Sequence, residues 1–567
     1  MISFSIGTSA LGVGQRGMDL AGQNIANAST PGYHRQTLNT STRVSGTMGT
    51  GVEATRLTRY DTPPVRTAIL AGNSDQSYSA SRLDTRQQIE ASLGTGDATI
   101  GGKLDQLFND IESLSTRPSD AASRRQVLTS ASDLANQFNS VAGSLDQLKF
   151  DVGRQANQTV NDVNSLTSQI ADLNGRIESV LRQGQQANEL QDQRDQLVDD
   201  LSKKVDVRTV NMDFGVVNVI GRDTALVVSN TATKLAVAGN TSNGLDVTVS
   251  GQTTPLSFSG GELGAQLREY NVEIPATRAR LDTLAMTAAG QLDKIQATGL
   301  GLNGPVTSSV GTRPVADPTQ PLATQGLSVP VTSGAMLISM TNLSTQLRQS
   351  SIINIDPNTM SLNDVAAAIT SGTGGLVQAT VDTPQNVLRL TAQAGSSFDF
   401  AGRPDSPPKA VFDSPTQNNT DTANLLAGLG VGGMFTGTDA GSLKVRPELT
   451  ANPDLLATSR TGRSGDASNV ERFAAVRDQA VIGGKTLSAE YTDIASSVGV
   501  DVQSLGDASS AQAGVLQNLS AQEQSVVGVD VNEELLHLMD YQRMVQGASK
   551  FMSAVNTALD SVMNILN

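Results

Sequence analysis

The last part of the chain has the most regular pattern of hydrophobic positions. Apolar residues recur there at alternating steps of three and four over four heptads, and no charged residue interrupts them. Polar residues such as Gln542, Ser549 and Asp560 occupy the other face. This spacing is typical of the a and d positions of a coiled coil, and it predicts a helix over 531–567. The apolar line consists of Leu538, Tyr541, Val545, Ala548, Met552, Val555, Leu559, Val562 and Leu566.

The first part of the chain has a weaker pattern with the same period. Large apolar residues lie seven positions apart, with small residues seven apart between them, so a second helix could approach closely. The turn-forming sequence at Pro31 and Gly32 ends this predicted helix near Ala28. The large residues are Phe4, Leu11, Met18 and Ile25, and the small ones are Gly7, Gly14, Ala21 and Ala28.

Both apolar lines are candidates for subunit contacts. Two terminal helices can cover each other along one face only, so the remaining apolar surface predicts contacts with neighbouring subunits. The alternative is that both helices pack entirely within their own subunit. A helix lying on a membrane is disfavoured, because Arg543 and Lys550 are the only cations in 531–567.

Between the two ends, the spacing of apolar residues changes period. Helical spacing covers 131–148 and 163–180, then gives way to alternation typical of strands, and returns at 262–296. Proline breaks helices, and 12 of the 19 prolines lie between Pro305 and Pro447, where only short strands are predicted. The strands predicted there are Met336–Met340, Ile352–Ile355, Val377–Val381 and Val387–Leu390.

This order of elements predicts an α+β multidomain protein. Both chain ends should form a discontinuous α-helical coiled-coil body, and β-rich domains should be inserted between them. The predicted division is a terminal coiled-coil domain at 1–35 and 531–567, a helical body at 60–204, 260–304 and 447–530, a small β-meander subdomain at 205–259, and an inserted β-rich outer domain at 305–446.

Composition excludes several kinds of chemistry. The 567 residues carry a formal net charge of −15, which disfavours nucleic acid as a partner because phosphate backbones are repelled. Absence of Cys excludes disulfides and thiol catalysis, and it suits a chain that crosses from a reducing to an oxidising compartment. No stretch approaches about 18 uncharged apolar residues, so no transmembrane helix is expected. The N-terminus lacks the pattern of a Sec signal peptide.

Four sequence motifs indicate one protein family. The sequence NIANASTPGYHRQ, from Asn24 to Gln36, resembles the N-terminal signature of flagellar axial proteins. The stretch 188–202, with NELQDQRD and a later LS, is similar to the motif ending the long helix of flagellar hook-associated protein 1. The motifs GGELG at 260–264 and GLGLNG at 299–304 bracket a helix as they do in that family.

The end of the chain carries the same resemblance. The sequence QEQSVVGVDVNEE at 522–534 is similar to the family's C-terminal hallmark, although Val527 and Asp530 stand where the family usually has Ser and Asn. The likeness to the family of flagellar hook-associated protein 1 covers about 1–305 and 435–567. Its signature residues in this sequence are Asn24, Asn27, Pro31, Gly32, Tyr33, Asp192, Arg194, Asp195, Glu533 and Glu534.

The resemblance implies a structural adaptor that joins the flagellar hook to the filament. Such a protein forms a ring of its own copies on the hook protein, with the second junction protein as its distal neighbour and the filament cap assembling above. It would pass unfolded through the type III export channel, and a cytoplasmic export chaperone would hold its C-terminal helix. The implied location is the flagellum after secretion and the cytoplasm before it, with no membrane and no nucleic acid as partners.

The sequence offers little for an enzyme. His34 and His537 lie in motifs at opposite ends of the chain, so neither predicts catalysis or metal binding. Asp192 and Asp195 flank Arg194 on one predicted helix, where a solvated face or an intersubunit ion pair is favoured over acid–base chemistry. We therefore expect no enzyme activity, no cofactor and no metal.

Alternative functions stay open from sequence alone. The nearest are the second hook–filament junction protein and the hook protein itself. A more distant one is an exported adhesin or enzyme whose middle domain acts on other molecules. Residues 304–446 contain no His, Cys or Tyr, which favours the adaptor.

Overall fold

The computed structural model describes residues 2–45, 48–240, 244–403 and 419–566. Helices dominate the two ends of the chain. In chain order they are α1 (Ile2–Ala26), α2 (Pro63–Leu93), α3 (Ile100–Thr116), α4 (Ala121–Arg182), α5 (Asn188–Lys204), α6 (Gly261–Arg268), a π-helical turn (Glu269–Glu273), α7 (Ile274–Ala297), α8 (Leu362–Gly372), α9 (Leu425–Leu429), α10 (Pro447–Ala451), α11 (Ser468–Ala475), α12 (Leu487–Val527) and α13 (Val531–Leu566).

Short antiparallel strands lie between these helices along the chain. In the described residues they form sheets ordered β1-β2, β3-β4-β5-β6, β7-β8-β9, β10-β14-β13, β12-β11-β15 and β16-β17. Their bounds are β1 (Gln36–Ser45), β2 (Met48–Arg59), β3 (Arg208–Asn211), β4 (Val217–Ile220), β5 (Ala225–Val228), β6 (Thr231–Ala232), β7 (Leu235–Gly239), β8 (Leu245–Val249), β9 (Pro255–Leu256), β10 (Ser308–Val310), β11 (Gly334–Asn342), β12 (Arg348–Ile355), β13 (Val377–Asp382), β14 (Val387–Ala392), β15 (Ser396–Asp399), β16 (Phe435–Thr436) and β17 (Lys444–Val445).

The chain forms two compact units, each built from separated segments. Unit 1 comprises Met1–Asp84, Asp151–Asn271 and Gln503–Asn567, and unit 2 comprises Thr85–Phe150 and Val272–Val502. Helices α2, α4 and α12 each contribute residues to both units. The fold is α+β and multidomain, with helical chain ends and inserted sheets, as the sequence predicts.

The core of unit 1 explains why α4 carries so regular an apolar face. Val160, Val163 and Ile170 on this helix are buried against Leu201 of α5 and Val219 of β4. A helix presents residues three and four apart on the same side, so the period seen in the sequence becomes one buried stripe. The helical spacing at 163–180 therefore identified a core face.

Unit 2 buries the other predicted helix face. Ala131, Phe138 and Leu145 have almost no exposed surface, which confirms the helical spacing at 131–148. The strands predicted in the middle segment are also present, as β11, β12, β13 and β14 with slightly wider bounds. The prediction of only short strands in this segment is wrong, because helices α8 and α9 also lie there. Helix α8 lies between β12 and β13, and its capping box pairs Ser361 with the backbone and side chain of Asp364.

The β-rich part of unit 2 shares its core with α7. Asp293 on α7 is fully buried and forms an ion pair with Arg313 at 2.6 Å. Its carboxylate also accepts the backbone N–H groups of Met434 and Phe435, each at 2.7 Å. Position 305 is the predicted start of the outer domain, yet residues before and after it belong to one buried network. The division into four sequence-based domains remains a prediction.

The hairpin of β1 and β2 is absent from the predicted elements. The prediction assigned no structure to 36–59, yet β1 and β2 pair from Gln36 with Arg59 to Ser45 with Met48. Their sequence is rich in Thr and Ser and has few large apolar residues, so it lacks the alternation that marks a half-buried strand. Contacts with α1 stabilise the hairpin, although its own sequence pattern does not predict it.

Candidate assembly interface

Helices α1 and α13 pack against each other through glycine. A Cβ atom at Gly7 would lie 2.6 Å from Sδ of Met552, and one at Gly14 would lie 2.6 Å from Cγ2 of Val545. Gly17 faces the ring of Tyr541 in the same way. Residue numbers rise along α1 as they fall along α13, so the helices are antiparallel. Because glycine has no side chain, the two helix backbones approach closely. The resulting dispersion contacts offset the free energy that glycine costs in a helix.

In the structure, the predicted interface residues are variously buried, half-buried or exposed. Ala548 is buried, whereas Leu559 and Val562 leave 52% and 54% of their surface exposed. Phe4 is 43% exposed, and the side chain of Leu566 lies outside the described positions. The half-buried members are Leu11, Met18, Ile25, Leu538, Tyr541, Val545, Met552 and Val555.

The end of α13 extends past the described start of α1. The register that sets Gly7 against Met552 brings Ile2 opposite about residue 557, because both helices rise equally per residue. Leu559, Val562 and Met563 therefore lie on a helical segment without α1 beside it, and all three are more than half exposed. We call residues 558–566 the overhang.

Replacing Gly14 by leucine should separate α1 from α13. The new side chain must enter space filled by Val545, and overpacking of this kind costs about 1–3 kcal/mol. Limited proteolysis should cut both terminal helices faster than in the wild type. Gly22→Leu is the matched control, since nothing lies within 4 Å of a Cβ there and leucine favours helix. Equal proteolysis of the two variants would contradict the packing role of Gly14.

The β1–β2 hairpin lies against the outer side of α1. Ser5 Oγ donates a hydrogen bond to the carbonyl of Thr50 at 3.0 Å, and the N–H of Val52 donates to Ser9 Oγ at 3.2 Å. Gly51 lies between these bonds with φ +126°, and a side chain there would collide with Ser9. Ser5 and Ser9 of α1 thus hydrogen-bond to backbone groups of β2.

The turn after α1 is fixed by Asn24. Its side-chain amide donates to the carbonyl of Gln36 at 2.9 Å, and its oxygen accepts from the N–H of Gln36 and the hydroxyl of Tyr33. Asn27 donates to the carbonyl of Gln23, and Gly32 adopts φ +75°. Pro31 is exposed at the tip of the turn. These signature residues therefore direct the chain from α1 into β1.

A buried ionic network lies where β2 meets α5. Arg59 donates to Asp192 and Asp195, both at 2.7 Å, and His34 Nδ1 lies 2.9 Å from Asp192. Arg194 donates to Asp195 at 3.0 Å and to the carbonyl of Gly215 at 2.6 Å. The Arg59 side chain is only 9% exposed.

The charges in this network stabilise one another. Burial alone would raise the pKa of Asp195, but Arg194, Arg59 and Arg66 outweigh it and hold that pKa below its ordinary value. Burial opposes the charge of Arg59 as well, yet Asp195 and Asp192 raise its pKa. The sequence analysis favoured a solvated face or an intersubunit ion pair for Asp192 and Asp195. The structure corrects this, because both carboxylates bind partners in their own chain.

The junction of α12 and α13 is tied to the same region. The N–H of Arg35 donates to the carbonyl of Val527 at 2.8 Å, and its guanidinium reaches Glu533 at 2.6 Å. That guanidinium also lies 4.6 Å from the centre of the Tyr60 ring. The next residue, Glu534, is buried. The two glutamates of the C-terminal signature therefore lie at the base of α13, one in an ion pair.

Comparison with known proteins adds a family to this geometry. The family model described as flagellar hook-associated protein FlgK helical domain matches residues 86–310. Flagellar hook-associated protein 1 of Escherichia coli K12 is 25% identical over 98% of both chains. The protein of that name from Bacillus subtilis 168 is 23% identical over 98% of this chain and 96% of its own. The chain is similar to flagellar hook-associated protein 1 along nearly its whole length.

These relatives are structural flagellar hook-associated proteins and not enzymes. A solved structure supports the same fold. The flagellar hook junction protein FlgK from Burkholderia pseudomallei is 19% identical, with a TM-score of 0.50 over 81% of this chain and all of that one.

Within the described ranges, no group of three or more His, Cys, Asp or Glu side chains is placed to hold a metal. No helix in those ranges is long and apolar enough to span a bilayer.

The sequence pattern did not reveal the partners of the signature residues. Arg59 ends a strand that was not predicted, and His34 was expected to have only an ordinary polar role. Arg59 lies 133 residues before Asp192, so no local spacing connects them.

Proposed function

We propose that this hook-associated protein joins the flagellar hook to the filament as a ring of identical copies. The observation that carries the proposal is the overhang of α13. Leu559, Val562 and Met563 expose apolar surface on a regular helix at the end of the paired helices. Exposed apolar surface of this kind marks a protein interaction site. The solved relative from Burkholderia pseudomallei is named a flagellar hook junction protein, which supports the same role here.

The contacts of the ring would use the faces of α1 and α13 that remain uncovered. Phe4 and its heptad partners Leu11, Met18 and Ile25 flank the glycine line of α1 without entering it. Neighbouring copies and the hook protein below would cover this flank, while the overhang would reach an adjacent pair of helices. The second junction protein and the filament cap would follow above the ring.

Export before assembly is the second part of the proposal. The chain would leave through the type III channel unfolded and be secreted to the flagellum, for which an absence of Cys is suited. A cytoplasmic chaperone would hold α13 before export. Exposed Leu535, Leu536 and Met539 near the base of this helix, together with the overhang, offer the apolar surface that a chaperone groove binds.

A deletion strain tests the junction role. Cells without the gene should carry hooks but no filaments, and flagellin should accumulate in the medium. The full chain supplied in trans should restore filaments and be detected at the hook tip by immunogold labelling. Filaments of normal number in the deletion strain would contradict the proposal.

A further inference from the structure

The second half of α12 buries little of its surface in unit 1. Of the residues from Gln503 to Val527, only Val527 is buried. Leu516 supplies one apolar contact, since a Cβ at Gly72 on α2 would lie 2.8 Å from it. A helix with so little buried apolar surface depends on its few specific contacts to remain in place.

The specific contact near the end of α12 is a cluster of three charged residues. Arg66 on α2 lies between two carboxylates, with Nη2 at 3.0 Å from Asp199 of α5 and Nη1 at 3.7 Å from Glu523 of α12. All three side chains are at least 70% buried, with 13%, 28% and 17% of their surface exposed. Oε1 of Glu523 accepts no hydrogen bond from any residue that the structure describes, whereas Oδ1 of Asp199 has Arg66 beside it.

Negative charge exceeds positive charge around Asp199. From its own helix it faces Asp195, whose charge is already matched by Arg59 of β2 and by Arg194. Arg66 is the cation from α2, and it also donates to the carbonyl of Asp195. Glu523 is the acid from α12, and the neighbouring Asp200 is half exposed and paired with Lys203. The guanidinium of Arg66 is therefore shared between the carboxylates of Asp199 and Glu523.

We propose that Arg66, Asp199 and Glu523 form a proton-dependent latch that holds the second half of α12 on α2 and α5. When Asp199 carries a proton, its repulsion of Glu523 disappears and its hydroxyl becomes a donor for the unsatisfied carboxylate. When Asp199 is ionised, two carboxylates compete for Arg66 and the latch weakens. Helix α13 follows α12 after a three-residue break, so the latch also controls how firmly the base of α13 is held.

The latch responds to pH in the mildly acidic range. Burial raises the pKa of Asp199 to about 6, opposed by Arg66 and reinforced by Glu523 and Asp195. A raised carboxyl pKa means that the folded state binds the proton more tightly than the unfolded chain does. The stabilisation is therefore complete below the ordinary pKa of 3.8 and is lost as the pH rises through about 6.

Hydrogen exchange of the purified full-length chain tests the latch. After correction for intrinsic exchange rates, peptides from 503–527 should be protected about tenfold more at about pH 5 than at about pH 7.5. Asp199→Asn removes the charge but keeps the shape, so it should give the protected behaviour at both pH values. Asp200→Asn is the matched control on the same helix, and it should keep the pH dependence of the wild type.

Glu523→Gln provides a second and independent variant. It removes the competing carboxylate from the other side of Arg66, so it should also raise protection of 503–527 at about pH 7.5. The latch is refuted if Asp199→Asn exchanges like the wild type, or if Asp200→Asn has the same effect. This experiment uses the free chain, so its outcome is independent of whether the protein joins hook and filament.

Discussion

Arg59→Met should lower the free energy of unfolding of unit 1 by about 3–5 kcal/mol. The substitution removes the guanidinium that Asp192 and Asp195 share and leaves two buried carboxylates close together. Methionine keeps the length and apolar stem of the side chain, so the loss comes from charge and hydrogen bonding. Urea titration read by hydrogen exchange of the α5 amides measures this stability without assuming that the chain unfolds in one step.

The loss should depend on pH in a definite direction. In the wild type, the cations hold the pKa of Asp195 below its ordinary value, so its stabilising contribution is present above about pH 4 and lost at lower pH. In the variant, a proton can neutralise one of the two carboxylates that have lost Arg59. The destabilisation should therefore be smaller at about pH 5 than at about pH 7.5.

Arg56→Met is the control for this prediction. Arg56 lies on the same strand with an exposed side chain, and surface substitutions usually change stability by less than about 0.5 kcal/mol. If Arg59→Met and Arg56→Met were equally stable, the network around Asp195 would not hold β2 to α5. A pH-independent loss would indicate that packing by the Arg59 stem, and not charge, is responsible.

Leu559→Asp should abolish incorporation at the hook tip while leaving the free chain folded. Leu559 is half exposed on the overhang, so the free chain loses little when it becomes polar. In an assembled interface the same position would forfeit about 1.5–3 kcal/mol of apolar burial and add the cost of a buried carboxylate. Immunogold labelling of hook tips and restoration of filaments in the deletion strain measure the effect, with circular dichroism of the purified variant as the fold check.

Two further variants separate the interface from packing inside the chain. Ser561→Asp places the same charge on the same turn but on another face, and it should assemble normally. Met552→Asp should fail to assemble and should also loosen α1, because Met552 packs on Gly7 within the chain. Normal filaments with Leu559→Asp would show that the overhang is not an assembly surface.

The sequence by itself determined the long helices at both ends of the chain and which of their faces are apolar. The stripe through Val163 and Ile170 and the line from Leu538 to Leu559 could be predicted because the helical period is a local property. A helix buries residues three and four apart whatever it packs against, so no partner has to be known. The family motifs were recognisable for the same reason, since each is a short continuous stretch.

Only the tertiary structure decided what each face meets. The apolar line of α13 pairs with the glycines of α1 and leaves Phe4 and Leu11 at the flank, because close approach requires an absence of side chains. The hairpin of β1 and β2 forms where Ser5 and Ser9 hydrogen-bond to the backbone of β2. Its own residues lack the alternation that would predict a strand. The partners of Asp195 come from distant parts of the chain. Charges attract through space, so sequence spacing carries no record of which ones fold together.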